Sequence, residues 1–164
     1  MFNVGDKVVY PMHGAGIIEK IETKKILDTV RDYYVLKISC GEMKVMIPVD
    51  NSEGIGVRNI ESTECISSVM KKLGESPDKM PTNWNRRYRE NTAKLKSGDI
   101  FSVAGVVRNL MVLDREKGLS TGERKMLINA RQILLSEIVL VKDIGIKTAE
   151  KQVEEAVFGI AAEG

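Results

Sequence analysis

The apolar positions of this chain change rhythm near residue 62, from the alternation of short strands to the wider spacing of helices. Val4 to Tyr10 and Ile17 to Ile26 are strand-like runs separated by Pro11, Gly14 and Gly16, and this punctuation predicts a hairpin. Arg31–Ser39 and Glu42–Val49 are β-branched and aromatic-rich, join at Cys40-Gly41, and stop at Pro48, which has no N–H for a ladder bond. Four or five short strands with tight turns predict a small, strongly bent sheet or barrel. Over Ser62–Leu73 the stripe Ile66, Val69, Met70 and Leu73 predicts a helix, expected to close a first module of residues 1–73.

Gly74 to Thr82 (GESPDKMPT) lacks apolar periodicity and is read as a linker, residues 74–82. Beyond it Asn83–Leu95, Asp99–Arg115, Ser120–Val141 and Lys147–Ala161 are helical in spacing, giving a second, all-helical module of residues 83–164. The third helix opens on Ser120-Thr121-Gly122-Glu123, a capping box in which hydroxyl and carboxylate answer free backbone amides. Its stripe of Leu127, Ala130, Ile133, Leu134 and Ile138 faces a core, as does Val153, Ala156, Val157, Ile160 and Ala161 on the last helix. The fold class expected is therefore α+β with two domains.

The chain has 164 residues, 43% hydrophobic and 29% charged, which supports one sizeable core or two small ones. No apolar run approaches about 18 residues and no signal-like start is present, so the cytoplasm is the expected location and no membrane partner is expected. Cys40 and Cys65 lack metal-knuckle spacing, and His13 alone completes no zinc site, so reduced structural thiols and neither metal nor cofactor are expected. The net charge of +2 is uneven: residues 79–131 carry twelve Lys/Arg against five Asp/Glu, whereas residues 1–73 are balanced. Such a confined excess fits a phosphate-facing surface and equally a set of solvated helix faces.

Pro81-Thr82-Asn83-Trp84-Asn85-Arg86-Arg87-Tyr88-Arg89 places the only tryptophan at a helix start among three arginines. An indole so placed can wedge against a base step while its neighbours neutralise phosphates. Trp84 and Tyr88 are also i and i+4, a spacing that suits core packing. Enzyme chemistry finds little support: Gly14-Ala15-Gly16 and Gly54-Ile55-Gly56 are bare fragments of dinucleotide motifs, and His13 has neither nucleophile nor orienting acid at motif spacing. A non-enzyme is expected.

Three motifs, Gly5-Asp-Lys-Val-Val-Tyr-Pro-Met-His-Gly14, Pro81-Thr-Asn-Trp-Asn-Arg-Arg-Tyr88 and Gly118-Leu-Ser-Thr-Gly-Glu-Arg-Lys-Met126, occur in an order that resembles the CarD/CdnL family of bacterial transcription regulators. The resemblance spans nearly the whole chain. It implies a Tudor-like, SH3-like β module followed by a compact helical domain. It further implies that the β module docks on the RNA polymerase β subunit, partly through an exposed sheet edge carrying Lys24, Lys25, Lys44 and Met46. Lys24 matches a basic position of relatives; Met46 stands where some carry arginine.

For the helical module the resemblance implies that Trp84 inserts at the upstream edge of melted promoter DNA, beside Arg86, Arg87 and Arg89. Arg124 and Lys125 match a basic site facing the DNA backbone. The function implied is stabilisation of the open promoter complex by a monomer whose DNA contacts are largely independent of sequence. Two other readings stay open: a ribosome- or RNA-associated protein, because Gly5-Asp-Lys-Val-Val and Gly14-Ala-Gly-Ile-Ile also resemble KOW-type domains, and a pure protein adaptor in which Trp84 is buried.

Overall fold

The computed structural model describes residues 1–159; Ile160 and Ala161, expected on the last apolar stripe, lie outside the described residues. Five strands, β1 (Lys7–Tyr10), β2 (Gly14–Ile26), β3 (Thr29–Ile38), β4 (Lys44–Pro48) and β5 (Arg58–Asn59), form one antiparallel sheet in the order β4-β3-β2-β1-β5. Five helices follow: α1 (Thr63–Leu73), α2 (Trp84–Lys96), α3 (Ile100–Glu116), α4 (Thr121–Lys142) and α5 (Ile146–Phe158). The α+β class expected from the sequence is the one found.

A bulge between Ile18 and Lys20 shifts the β2–β3 register and bends the sheet. At the same end Gly16 lies so close to β3 that any Cβ there would overlap the Lys37 carbonyl. The bend closes the sheet over a small core of Val8, Ile18, Tyr34, Leu36, Ile38, Ile47 and Val57. Phe2 seals one end, stacking edge-on against Tyr34 at 6.0 Å and donating its backbone N–H to the tyrosine hydroxyl at 3.0 Å.

The helical core centres on α3, whose residues from Val103 to Met111 are buried without interruption, so a single amphipathic stripe is replaced by a helix surrounded by its neighbours. Asp99 starts it by accepting the Ser102 amide at 3.1 Å.

Two sequence expectations change here. Helix α1 does not close the sheet: Ile66, Val69 and Leu73 are buried in the helical cluster with Val103, Val107 and Leu110. Residues 74–82 consequently connect two helices of one core. They are also strapped down, since Asp78 accepts from the buried Arg108 guanidinium at 2.9 Å and donates its amide to Asn109 at 3.1 Å. Arg108 is only 2% exposed and gives a second bond to the Lys72 carbonyl, so a charge that read as surface in the sequence is an internal fastener.

Candidate nucleic-acid and polymerase interfaces

Trp84 is the first residue of α2, capped by the Asn83 side chain, which accepts the Arg86 amide at 3.0 Å. Its indole is 43% exposed and stacks on Tyr88 with ring centroids 5.5 Å apart and 24° between planes. The i, i+4 spacing therefore builds a two-ring stack whose inner ring, Tyr88, packs against the helical core and whose outer ring, Trp84, stays exposed. The stack rests on α4, where a Cβ added to Gly122 would lie 3.5 Å from the indole.

Three side chains aim the indole. Trp84 Nε1–H donates to Ser120 Oγ at 2.8 Å. The same hydroxyl caps α4 by accepting the Glu123 amide at 3.2 Å, and donates to Glu123 Oε1 at 3.2 Å. With two bonds accepted and one donated, it has no capacity left. Glu123, 2% exposed, is gripped by Arg87 through Nε at 2.6 Å and Nη2 at 2.8 Å. Hydrogen bonds from Arg87 hold the Glu123 carboxyl below its ordinary pKa, against the opposing effect of burial. The capping box read from the sequence is thus present, and its carboxylate also ties α4 to α2.

This arrangement separates the arginines of the segment. Arg87 faces inward on Glu123 and on the Pro81 carbonyl, so the phosphate role expected for it goes unsupported by its surroundings. Arg86 is exposed and pairs loosely with Glu90 at 3.2 Å, and Arg89 is exposed. Arg124 and Lys125 are exposed on the first turn of α4, Arg124 lying 3.6 Å from Asp114. Arg87–Glu123 and Trp84–Ser120 thus bring the two positive helix ends together beside the indole, and the four exposed cations lie within the first two turns of these helices.

The residues expected to meet polymerase fall in two places. Lys24 and Lys25 are exposed near the tip of the β2–β3 hairpin, opposite Arg31 and Val30. Lys44 and half-buried Met46 sit on β4, which among the described residues pairs only with β3 and leaves its outer edge open. Lys44 bonds Glu19 of β2 at 3.0 Å, five residues and about 16 Å along the strand from Lys24. The hairpin also exposes Ile21, Ile26, Val30 and Leu27, the last 91% exposed with φ of 56°. Sequence reading passed over this apolar tip, because the alternation that marks a strand does not say that both its faces are bare.

Sheet and helices meet along α4. Glu137, 3% exposed, accepts Arg58 Nη1 and Nη2 at 2.8 Å each and the Glu61 amide at 2.9 Å. Burial works against the Arg58 charge, but hydrogen bonds and the charge of Glu137 outweigh it and raise its pKa. Ser136 accepts the Ala15 amide at 2.8 Å, and its carbonyl accepts Ser39 Oγ at 2.7 Å. Gly14, with φ of +116°, passes so near that a Cβ would stand 2.8 Å from Ser136 Oγ.

Elsewhere, His13 stacks on Tyr10 at 4.2 Å in the exposed β1–β2 turn. Burial pushes the Cys40 and Cys65 thiols up, away from the reactive thiolate. Among the described residues no cluster of His, Cys, Asp or Glu is placed to hold a metal ion, and no helix is long and apolar enough to cross a membrane.

Residues 2–60 match the CarD-like/TRCF RID domain, and residues 68–154 match the CarD C-terminal domain. The chain is 42% identical over 156 residues to the "Putative transcription factor YdeB" of Bacillus subtilis (strain 168), covering 94% of this chain and 98% of that protein. It is also 30% identical over 120 residues to the "Transcription-repair-coupling factor" of Staphylococcus haemolyticus, of which the matched region is 9%. The two matched regions coincide with the sheet and with most of the helical core. The chain belongs to the CarD family.

Proposed function

We propose that this chain regulates transcription by docking its sheet on the β subunit of RNA polymerase and applying Trp84 to the upstream edge of melted promoter DNA, so that the open complex lasts longer. The observation that carries this reading is the half-exposed indole, fixed by Ser120 and Tyr88 where the starts of α2 and α4 meet, on helices that also expose Arg86, Arg89, Arg124 and Lys125 near those starts.

A large apolar ring normally gains by burial, so holding one at 43% exposure with a hydrogen bond favours contact with something outside the chain. Nucleic acid suits the surroundings: the cations neutralise phosphates irrespective of sequence, and the ring stacks on an unpaired or partly unstacked base. Preorganisation lowers the ordering cost of that contact. The adaptor reading requires a buried Trp84 and is disfavoured by the same exposure. On the sheet side, the open β4 edge with Lys44 and Met46 suits strand addition, and Lys24 and Lys25 offer a second, separate contact near the tip of the β2–β3 hairpin.

Tethering to polymerase raises the effective concentration of the indole at the promoter, so a weak DNA contact suffices. The chain acts as a monomer, because polymerase supplies its placement. Only preference for the open over the closed state prolongs opening: about 1–3 kcal/mol of differential contact shifts that equilibrium roughly 5- to 150-fold. Retention of the full chain by polymerase core, lost on joint Lys44→Glu and Met46→Glu substitution but kept in Trp84→Ala, tests the division of labour. Equal loss in both variants contradicts it.

A further inference from the structure

We infer that Glu137, Arg58 and Ser136 are positioning residues: they lock the sheet to the helical core as one rigid body, and thereby set which base step Trp84 meets once the sheet is docked. This rests on the function proposed above and adds the means by which its two halves are kept in register.

The lock is a multi-point joint. A single covalent crossing between β5 and α1 would leave the modules free to swivel. Instead, residues of β2, β5 and the end of β3 converge on two consecutive residues of α4. The start of β2 reaches Ser136 through the Ala15 amide, the end of β3 reaches the Ser136 carbonyl through Ser39 Oγ, and β5 reaches Glu137 through the Arg58 fork. These contacts draw on the start of β2, the end of β3 and β5, so they hold both sides of β1. Arg58 Nε also bonds the Gly98 carbonyl ahead of α3 at 3.0 Å, so the same guanidinium touches a second part of the helical core. A bidentate Arg–carboxylate pair fixes orientation as well as distance.

Leverage makes the joint matter. Ser120 lies sixteen residues before Ser136 on α4, about 24 Å at helical rise, and the indole hangs from Ser120. A swivel of about 10° at the joint would carry the ring through about 4 Å, more than the ~3.4 Å between successive bases of a strand. A loosened joint would leave polymerase binding and the indole site intact while spreading the wedge over neighbouring steps.

The test uses the full chain with Cys40 and Cys65 replaced by serine and spin labels at Glu53→Cys and Lys117→Cys, both exposed and outside the proposed interfaces. Glu137→Gln keeps side-chain volume and weakens the fork; Arg58→Met with Glu137→Met replaces the pair by apolar packing, which commonly restores stability but not orientation. For both variants the expected results are a label-to-label distance distribution roughly twice as wide and unchanged retention by polymerase core, with open-complex lifetime reduced about fivefold or more. Trp84→Ala runs in parallel. If it shortens the lifetime while the folded Met/Met variant keeps wild-type distances and lifetime, the joint has no positioning role. A wider distribution with wild-type lifetime overturns the inference equally. If Trp84→Ala itself leaves the lifetime unchanged, the failure lies with the proposed function; the distances alone then judge whether the lock makes the chain rigid.

Discussion

Trp84 Nε1 lies 2.8 Å from Ser120 Oγ, so the hydroxyl that caps α4 also aims the indole of α2. Helix capping and presentation of the exposed ring are thus one device. Anything that disturbs the cap moves the ring, and the two effects can be measured apart.

Ser120→Ala removes both roles. Loss of the cap lowers stability by about 0.5–2 kcal/mol, read by urea denaturation. Because Trp84 is the only tryptophan, iodide quenching reports on it alone and is expected to rise. Retention by polymerase core stays as in the wild type. Unchanged quenching would show that the hydroxyl does not hold the indole in solution.

Arg87 and Arg89 are two positions apart and are expected to behave oppositely. Arg87→Met strands a carboxylate that is 2% exposed, and breaking such a pair costs about 3–5 kcal/mol. Adding Glu123→Met returns most of that loss. Arg89→Ala changes stability by less than about 0.5 kcal/mol and weakens the DNA-dependent effect, more so at low salt than at high. Matching stabilities for the two single variants would contradict the inward assignment of Arg87.

Acid should loosen the indole site through Glu123. Its carboxyl titrates below the ordinary 4.5 when folded, chiefly because Arg87 bonds the ionised form. A depressed folded pKa contributes stability that is present above the unfolded value and lost as pH falls through the folded one. Stability and the protection of Trp84 from quenching are therefore flat from neutral pH down to about 5 and decline below it. Glu123→Gln removes this part of the acid limb, and an unaltered acid limb in that variant would place the titration elsewhere.

The strand-then-helix order, the β1–β2 hairpin, the capping box at Ser120 and the helix that opens at Trp84 are all legible, because each is written in local spacing or in a residue with one strong preference. Partners distant in the chain are not. An arginine has the same sequence signature whether it faces phosphate or a carboxylate 36 residues away, which is why Arg87 read as a DNA contact. Arg108 hid its burial in the same way. The stripe of Ile66, Val69 and Leu73 announces an amphipathic helix without naming the core it joins, so α1 was expected on the sheet and stands among the helices. Nothing in the sequence singles out Glu137; only the fold brings Arg58 to it across 79 positions.

Gly14→Ala tests the seam between sheet and helices from the sheet side. The new Cβ meets Ser136 Oγ at 2.8 Å in a backbone with φ of +116°, two independent penalties. A loss of about 1–3 kcal/mol is expected by denaturation. Stability equal to that of the wild type would show that the backbone there relaxes freely.

The central claim is that Trp84 prolongs the open promoter complex from a polymerase-bound chain. The most direct measurement is the lifetime of heparin-challenged open complexes formed with polymerase holoenzyme and saturating wild-type or Trp84→Ala protein. The account predicts normal polymerase retention by the variant with a lifetime shortened roughly 5- to 150-fold relative to wild type, towards that of polymerase alone. A variant that binds polymerase normally and prolongs the complex as well as wild type does would contradict it.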